Sequence, residues 1–129
     1  MIEALEAVEN ADILVVGSLA YRATYTGLLK LFFDHIGQYP LVDKPVVMTA
    51  TGSDRRGLLV EHQMRPLFGF FQSLTLPLSI YASESDFADY QISSPGLCKR
   101  IATAVSRTLP LVRSDSELHA RLVDRPMRS

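Results

Sequence analysis

An apolar run, Ile13-Leu14-Val15-Val16-Gly17, follows Asp12 directly and constrains the fold more than any other feature. It leads through a short loop, Ser18 to Thr24, into a helical pattern of Leu28, Leu29, Leu31, Phe32, Phe33 and Ile36. A strand without alternation is apolar on both faces, which places it inside a parallel sheet covered on both sides. In such sheets ligands gather at the loops on the carboxyl ends of the strands. The residues of functional interest therefore begin near Ser18.

The same unit recurs. Ile2, Leu5, Ala7 and Val8 read as an amphipathic helix end ahead of the first strand. Thr24 is a candidate cap for the next helix, with Tyr25-Thr26-Gly27 in its first turn, and Lys30 and Asp34 are spaced to pair on its surface. Lys44 to Ala50 reads as a second buried strand, with Pro45 tolerated at its start. The loop Thr51-Gly52-Ser53-Asp54 follows. Arg56 to Leu74 then reads as a long helix that Pro66 kinks or restarts. Leu76 to Tyr81 is a short third strand, Ala82 to Ser94 a polar loop, and Pro95 to Leu109 a last helix. Residues 1–112 read as one domain, and 113–129 as a polar C-terminal tail. Alternating helices and strands mean an α/β layered fold with parallel strands.

Composition narrows the setting. A net charge of -1 supplies no field that would draw the chain to nucleic acid or anionic lipid. The one cysteine, Cys98, has no intramolecular partner, which fits a reducing compartment. No apolar stretch is long enough for a membrane span, and the acidic N-terminus lacks the layout of a signal peptide. The expected location is cytoplasmic.

The usual catalytic signatures are missing: the sequence holds no GxSxG, GxxxxGK[ST], HExxH or CxxC. Ser53, Asp54 and His62 read as a polar loop and a helical histidine rather than a triad. Glu84, Asp86 and Asp89 read as solvated loop carboxylates rather than metal ligands. What remains is two strand-end loops, Ser18 to Ala23 and Ala50 to Ser53, expected to open on one edge of the sheet. Tyr21 offers a ring face and a hydroxyl. Arg22 suits a phosphate or carboxylate, and Gly52 permits close approach of backbone to a ligand. That set fits a flat, hydrogen-bonding heterocycle better than nucleophilic attack; ordinary βα turns are the alternative.

The order Ala11-Asp12-Ile13-Leu14-Val15-Val16, Ser18-Leu19-Ala20-Tyr21-Arg22, Tyr25-Thr26-Gly27-Leu28-Leu29-Lys30 and Asp34 resembles the NAD(P)H-dependent FMN reductase family. Lys44-Pro45-Val46-Val47, Ala50-Thr51-Gly52, Glu61 to Leu67, Leu76-Pro77 and Tyr81 to Phe87 continue the match, which covers roughly residues 3 to 112. The nearest subgroup comprises the flavin reductases of alkanesulfonate and methanesulfonate monooxygenase systems.

The resemblance implies a flavodoxin-like, doubly wound parallel sheet, truncated at its N-terminus to about three strands with flanking helices. Strands 3-4-5 of the order 2-1-3-4-5 would be present, with an open apolar edge at Asp12 to Gly17 and the family's phosphate-cradling loop outside the sequence. It also implies FMN as cofactor, bound by Leu19, Ala20, Tyr21 and Arg22 and by Thr51, Gly52 and Ser53, largely through backbone. Leu19 replaces a usual proline and Ser53 a usual glycine. NAD(P)H would be the co-substrate and hydride donor, with no catalytic side chain and no metal. The partners implied are a second copy, as homodimer or homotetramer, and a flavin-dependent monooxygenase, with His62 facing a neighbouring subunit as one option. Alternatives are an FMN-bound reductase of quinones, azo dyes or metal ions, and a non-catalytic flavodoxin-like module.

Overall fold

The computed structural model describes residues 1–52 and 60–123, with side chains through residue 111. Helix α1, Ile2–Asn10, leads into strand β1, Leu14–Leu19, and helix α2, Gly27–Asp34. Strand β2, Pro45–Thr51, precedes a π-helical turn at Val60–Met64 that runs into helix α3, Arg65–Phe70. Short strands β3, Leu74–Thr75, and β4, Ile80–Ala82, follow. A hairpin, β5 Phe87–Ala88 and β6 Gln91–Ile92, precedes the long helix α4, Pro95–Val123.

The sheet is parallel, and β2 is its centre. β1 pairs with β2 from Leu14 opposite Val46 to Leu19 opposite Thr51. On the other side β2 pairs first with β3 and then with β4. The expected third strand is therefore present in two pieces and starts two residues early. Pro77, between them, has no N–H to give the ladder, which divides the strand.

One face carries the core. Leu14 and Val16 of β1 and Val46, Met48 and Ala50 of β2 pack with Phe33, Ile36, Val60, Met64, Phe68 and Phe71. The Phe33 ring meets Phe68 edge-on at 5.2 Å. Lys44 ties α1 to this layer. Its Nζ donates to the carbonyls of Val8 (2.8 Å) and Glu9 (2.6 Å), the last turn of α1. Burial lowers the Lys44 pKa from its usual value, and Asp12 and Glu9 oppose that shift.

Helix α4 packs on the opposite face, against β4 and β2. Arg100 fastens it, stacking 4.3 Å from the Tyr81 ring centroid and donating to the Ser79 carbonyl at 2.6 Å. The cover ends between β2 and β1. Val47 is 5% exposed, whereas its registered neighbour Val15 is 69% exposed. The expectation of a first strand covered on both faces is thus corrected: β1 is covered on one face, and β2 alone pairs with it among the described residues. The open apolar edge expected there is what the sheet shows.

Three further expectations change. The helix expected to reach Leu74 ends at Phe70; the restart expected at Pro66 is seen beside it, where the π turn gives way to α-helix at Arg65. The segment Ala82 to Ser94 is not plain loop: it holds a 3-10 turn, Glu84–Asp86, and the β5–β6 hairpin. The last helix continues through Pro110 to Val123, into the segment read as a tail. Leu118, Ala120, Arg121 and Leu122 in that stretch favour helix.

Candidate functional site

The ladder does not stop where the strands do. The Ala20 N–H donates to the Thr51 carbonyl at 2.9 Å, and the Gly52 N–H to the Ala82 carbonyl at 3.1 Å. The carboxyl ends of β1, β2 and β4 therefore stay side by side. The two loops expected to share an edge of the sheet do so.

The β1 loop then closes on itself. The Tyr21 N–H donates to the Thr24 carbonyl (2.8 Å) and the Thr24 N–H to the Tyr21 carbonyl (3.1 Å). The tip residues Arg22 and Ala23 have φ of +50° and +71°. Consecutive left-handed residues at a two-residue tip belong to the hairpin turn that Asn-Gly favours. L side chains there cost roughly 1–2 kcal/mol per residue. The result is display: Tyr21 is 58% exposed, and the Arg22 guanidinium lies 5.7 Å from its ring centroid.

Ser18 fixes the base of the loop, accepting from the Thr26 N–H at 3.2 Å and donating to the Leu19 carbonyl at 2.9 Å. The cap of α2 is Thr26, which accepts from the Leu29 N–H, and not Thr24 as expected. Thr24 is committed to the turn, and its hydroxyl donates to Gln63 on the π turn at 3.3 Å.

Gly52 closes the second side. Its φ is +148°, and a Cβ there would lie 3.0 Å from the Ala20 Cβ. Glycine is needed on both counts. Gly52 carries the unusual backbone of this loop. Ser53, Asp54, Arg55 and Arg56 lie outside the described residues.

Leu19, Ala20, Tyr21, Arg22, Thr51 and Gly52 thus form one shelf. The amides of Ala20, Tyr21 and Gly52 are already spent on protein carbonyls. Contacts through backbone at these three would therefore be made by carbonyls and Cα groups rather than by N–H donors. The shelf offers an aliphatic side chain, an aromatic ring and a guanidinium on a floor kept flat by Gly52. That surface suits a planar, partly polar ring.

The sequence reading missed the third strand end. Ser83 begins a capping box: its N–H and hydroxyl both reach the Asp86 carboxylate, at 2.8 and 3.3 Å. The signal was legible as Ser-x-x-Asp. Asp86 is engaged inside its own turn. His62 is exposed on the π turn. Arg65 forks onto Glu61, both contacts 2.9 Å, and reaches the Thr75 hydroxyl and Leu76 carbonyl, both at 3.2 Å. The Arg65 guanidinium holds the Glu61 carboxyl below the usual carboxylate range.

A cavity of about 410 Å³ lies elsewhere, lined by Lys30, Phe33, Asp34, Leu67, Phe70 and Phe71. Those residues include the last turn of α2 and the end of α3, away from the strand-end loops. Its apolar walls carry one ion pair, Lys30 with Asp34.

Residues 1–88 match the family model described as NADPH-dependent FMN reductase. The chain belongs to the NADPH-dependent FMN reductase family. It is 54% identical over 108 residues to the NADH-dependent FMN reductase SfnF of Pseudomonas fluorescens (strain Pf0-1), covering 83% of this chain and 58% of that protein. It is 50% identical over 115 residues to an FMN reductase (NADPH) of Pseudomonas aeruginosa, covering 88% of this chain and 62% of the relative. The structure of an oxidoreductase from Corynebacterium diphtheriae superposes with a TM-score of 0.77 at 31% identity, over 88% of this chain and 62% of that one. The chain thus spans about three-fifths of the length of these relatives. The flavodoxin-like fold class implied by the family resemblance is borne out by the parallel sheet with helices on both faces and by this superposition.

Proposed function

We propose that the chain acts as an FMN reductase, transferring a hydride from NAD(P)H to FMN and supplying reduced flavin to a partner monooxygenase. The observation that carries this reading is the shelf where Ala20 meets Gly52, with Tyr21 and Arg22 raised beside it. Leu19, Ala20, Tyr21 and Arg22 would wall the flavin ring on one side, and Thr51, Gly52 and Ser53 on the other. FMN, when bound, would supply the ring system that accepts the hydride. The protein's share is position and a supporting surface for the ring. No acid–base pair is required of it.

Family membership and the FMN reductase names of the relatives support the substrate pair; those names carry both NADH and NADPH. Exposed Leu28, Leu31 and Phe70 supply apolar surface for a homodimer or homotetramer. Among the described residues no helix is long and apolar enough to cross a membrane. A cytoplasmic setting agrees with the lone, unpaired Cys98.

The test is loss of reduced-nicotinamide absorbance, with NADH and NADPH in separate assays, when FMN is added. FMN-dependent oxidation that exceeds the rate with a quinone acceptor is expected. No FMN-dependent oxidation with either donor would overturn the reading. Faster turnover with quinone would favour the quinone reductase alternative.

A further inference from the structure

The Tyr21–Thr24 turn holds two non-glycine residues in left-handed backbone, Arg22 and Ala23. Such a pair persists where the surroundings fix it. Its own two backbone hydrogen bonds close it, and Ser18 fastens its base. Among the described residues, one side-chain hydrogen bond reaches the turn from another element: the Thr24 hydroxyl donates to Gln63 Oε1 at 3.3 Å.

Gln63 is well placed to bear that contact. Val60 and Met64 are fully buried and root the π turn in the core. Arg65 ties the same turn to Glu61, Thr75 and Leu76. Glu61, His62 and Gln63 consequently face outward from a firmly held base. A π turn carries an extra residue relative to an α-helix, and here one of its outward residues meets the shelf.

We propose that Gln63 is a positioning residue that holds the Tyr21–Thr24 turn in the shape that receives the flavin ring. This rests on the reading of that turn as a flavin wall. Gln63 acts through Thr24. An acceptor at the same reach keeps the contact, so glutamate can stand in for glutamine and alanine cannot.

Two readouts separate the parts. The first uses flavin-free protein and follows hydrogen exchange at the Tyr21 and Thr24 amides, the donors that close the turn. In Gln63→Ala exchange at both rises about fivefold, the worth of one modest hydrogen bond. In Gln63→Glu it stays near wild type. The second is FMN affinity from quenching of flavin fluorescence. It falls by no more than about fivefold in Gln63→Ala, the exchange factor setting the ceiling, and is retained in Gln63→Glu; saturating FMN slows exchange at both amides in the wild type. Gln63→Ala lowers the melting temperature by no more than a few degrees, because the same single hydrogen bond is lost on unfolding, and Gln63→Glu keeps the wild-type value.

Unchanged exchange in Gln63→Ala would overturn the proposal, as would a glutamate variant as loose as the alanine one. Exchange at the Tyr21 and Thr24 amides that saturating FMN leaves unslowed would overturn the link to the flavin. Wild-type protein that takes up no FMN would overturn the proposed function, while the exchange readout would still judge the clamp.

Discussion

Replacing Phe68 with alanine lowers the unfolding free energy by about 3–5 kcal/mol. Phe68 is fully buried and sits in the cluster that joins α2, the π turn and α3 to the sheet. Its ring meets Phe33 edge-on, so the substitution removes an aromatic contact as well as buried area. Domains of this size hold about 5–15 kcal/mol in all, so the loss is a large fraction of the total. Denaturant unfolding shows it as a lower midpoint at an unchanged slope, and thermal unfolding as a fall of about 10–20 °C. Phe70→Ala is the control. Phe70 is largely exposed on the same helix, and its loss costs less than about 1 kcal/mol.

The second large effect concerns ligand and fold together. Gly52→Ala places a Cβ 3.0 Å from the Ala20 Cβ at a φ of +148°, which L residues rarely adopt. The backbone strain costs of order 1–3 kcal/mol. Relief requires the β1 and β2 loops to separate, which breaks the floor of the shelf. FMN affinity measured by fluorescence quenching is expected to fall at least tenfold while the protein still folds. The sheet below is held by the β1–β2 register from Leu14 to Leu19 and does not depend on this contact. Wild-type FMN affinity in a folded Gly52→Ala protein would show that the flavin does not rest there.

Much of the fold is legible because burial writes itself into long apolar runs. Val46, Val47 and Met48 show no alternation, and β2 is the central strand, buried on both faces. The same logic overreached at β1. Val15 and Leu19 are as apolar as an interior strand requires, yet they are exposed. Sequence records what a residue suits, not whether a neighbour is there to cover it. Boundaries set by one atom were harder to read. Thr24 and Thr26 are equally good caps in sequence, and only the closure of the Tyr21–Thr24 turn decides between them.

At the site, residue types were readable and backbone shape was not. Tyr21, Arg22 and Gly52 stand out by chemistry. The tip residues Arg22 and Ala23 give no sign of left-handed backbone, because neither is Gly, Asn or Asp. The π turn at Val60–Met64 is likewise silent, since buried residues four apart look like ordinary helix. Gln63 became interesting only once Thr24 lay beside it.

The most direct test of the account is to titrate FMN into isotope-labelled protein and map which backbone amides respond. A flavin seated on the shelf shifts the amides of Leu19 to Thr24 and of Thr51 and Gly52 most. Shifts concentrated instead around the cavity of Lys30, Phe33, Phe70 and Phe71, or no shifts at saturating FMN, would contradict it.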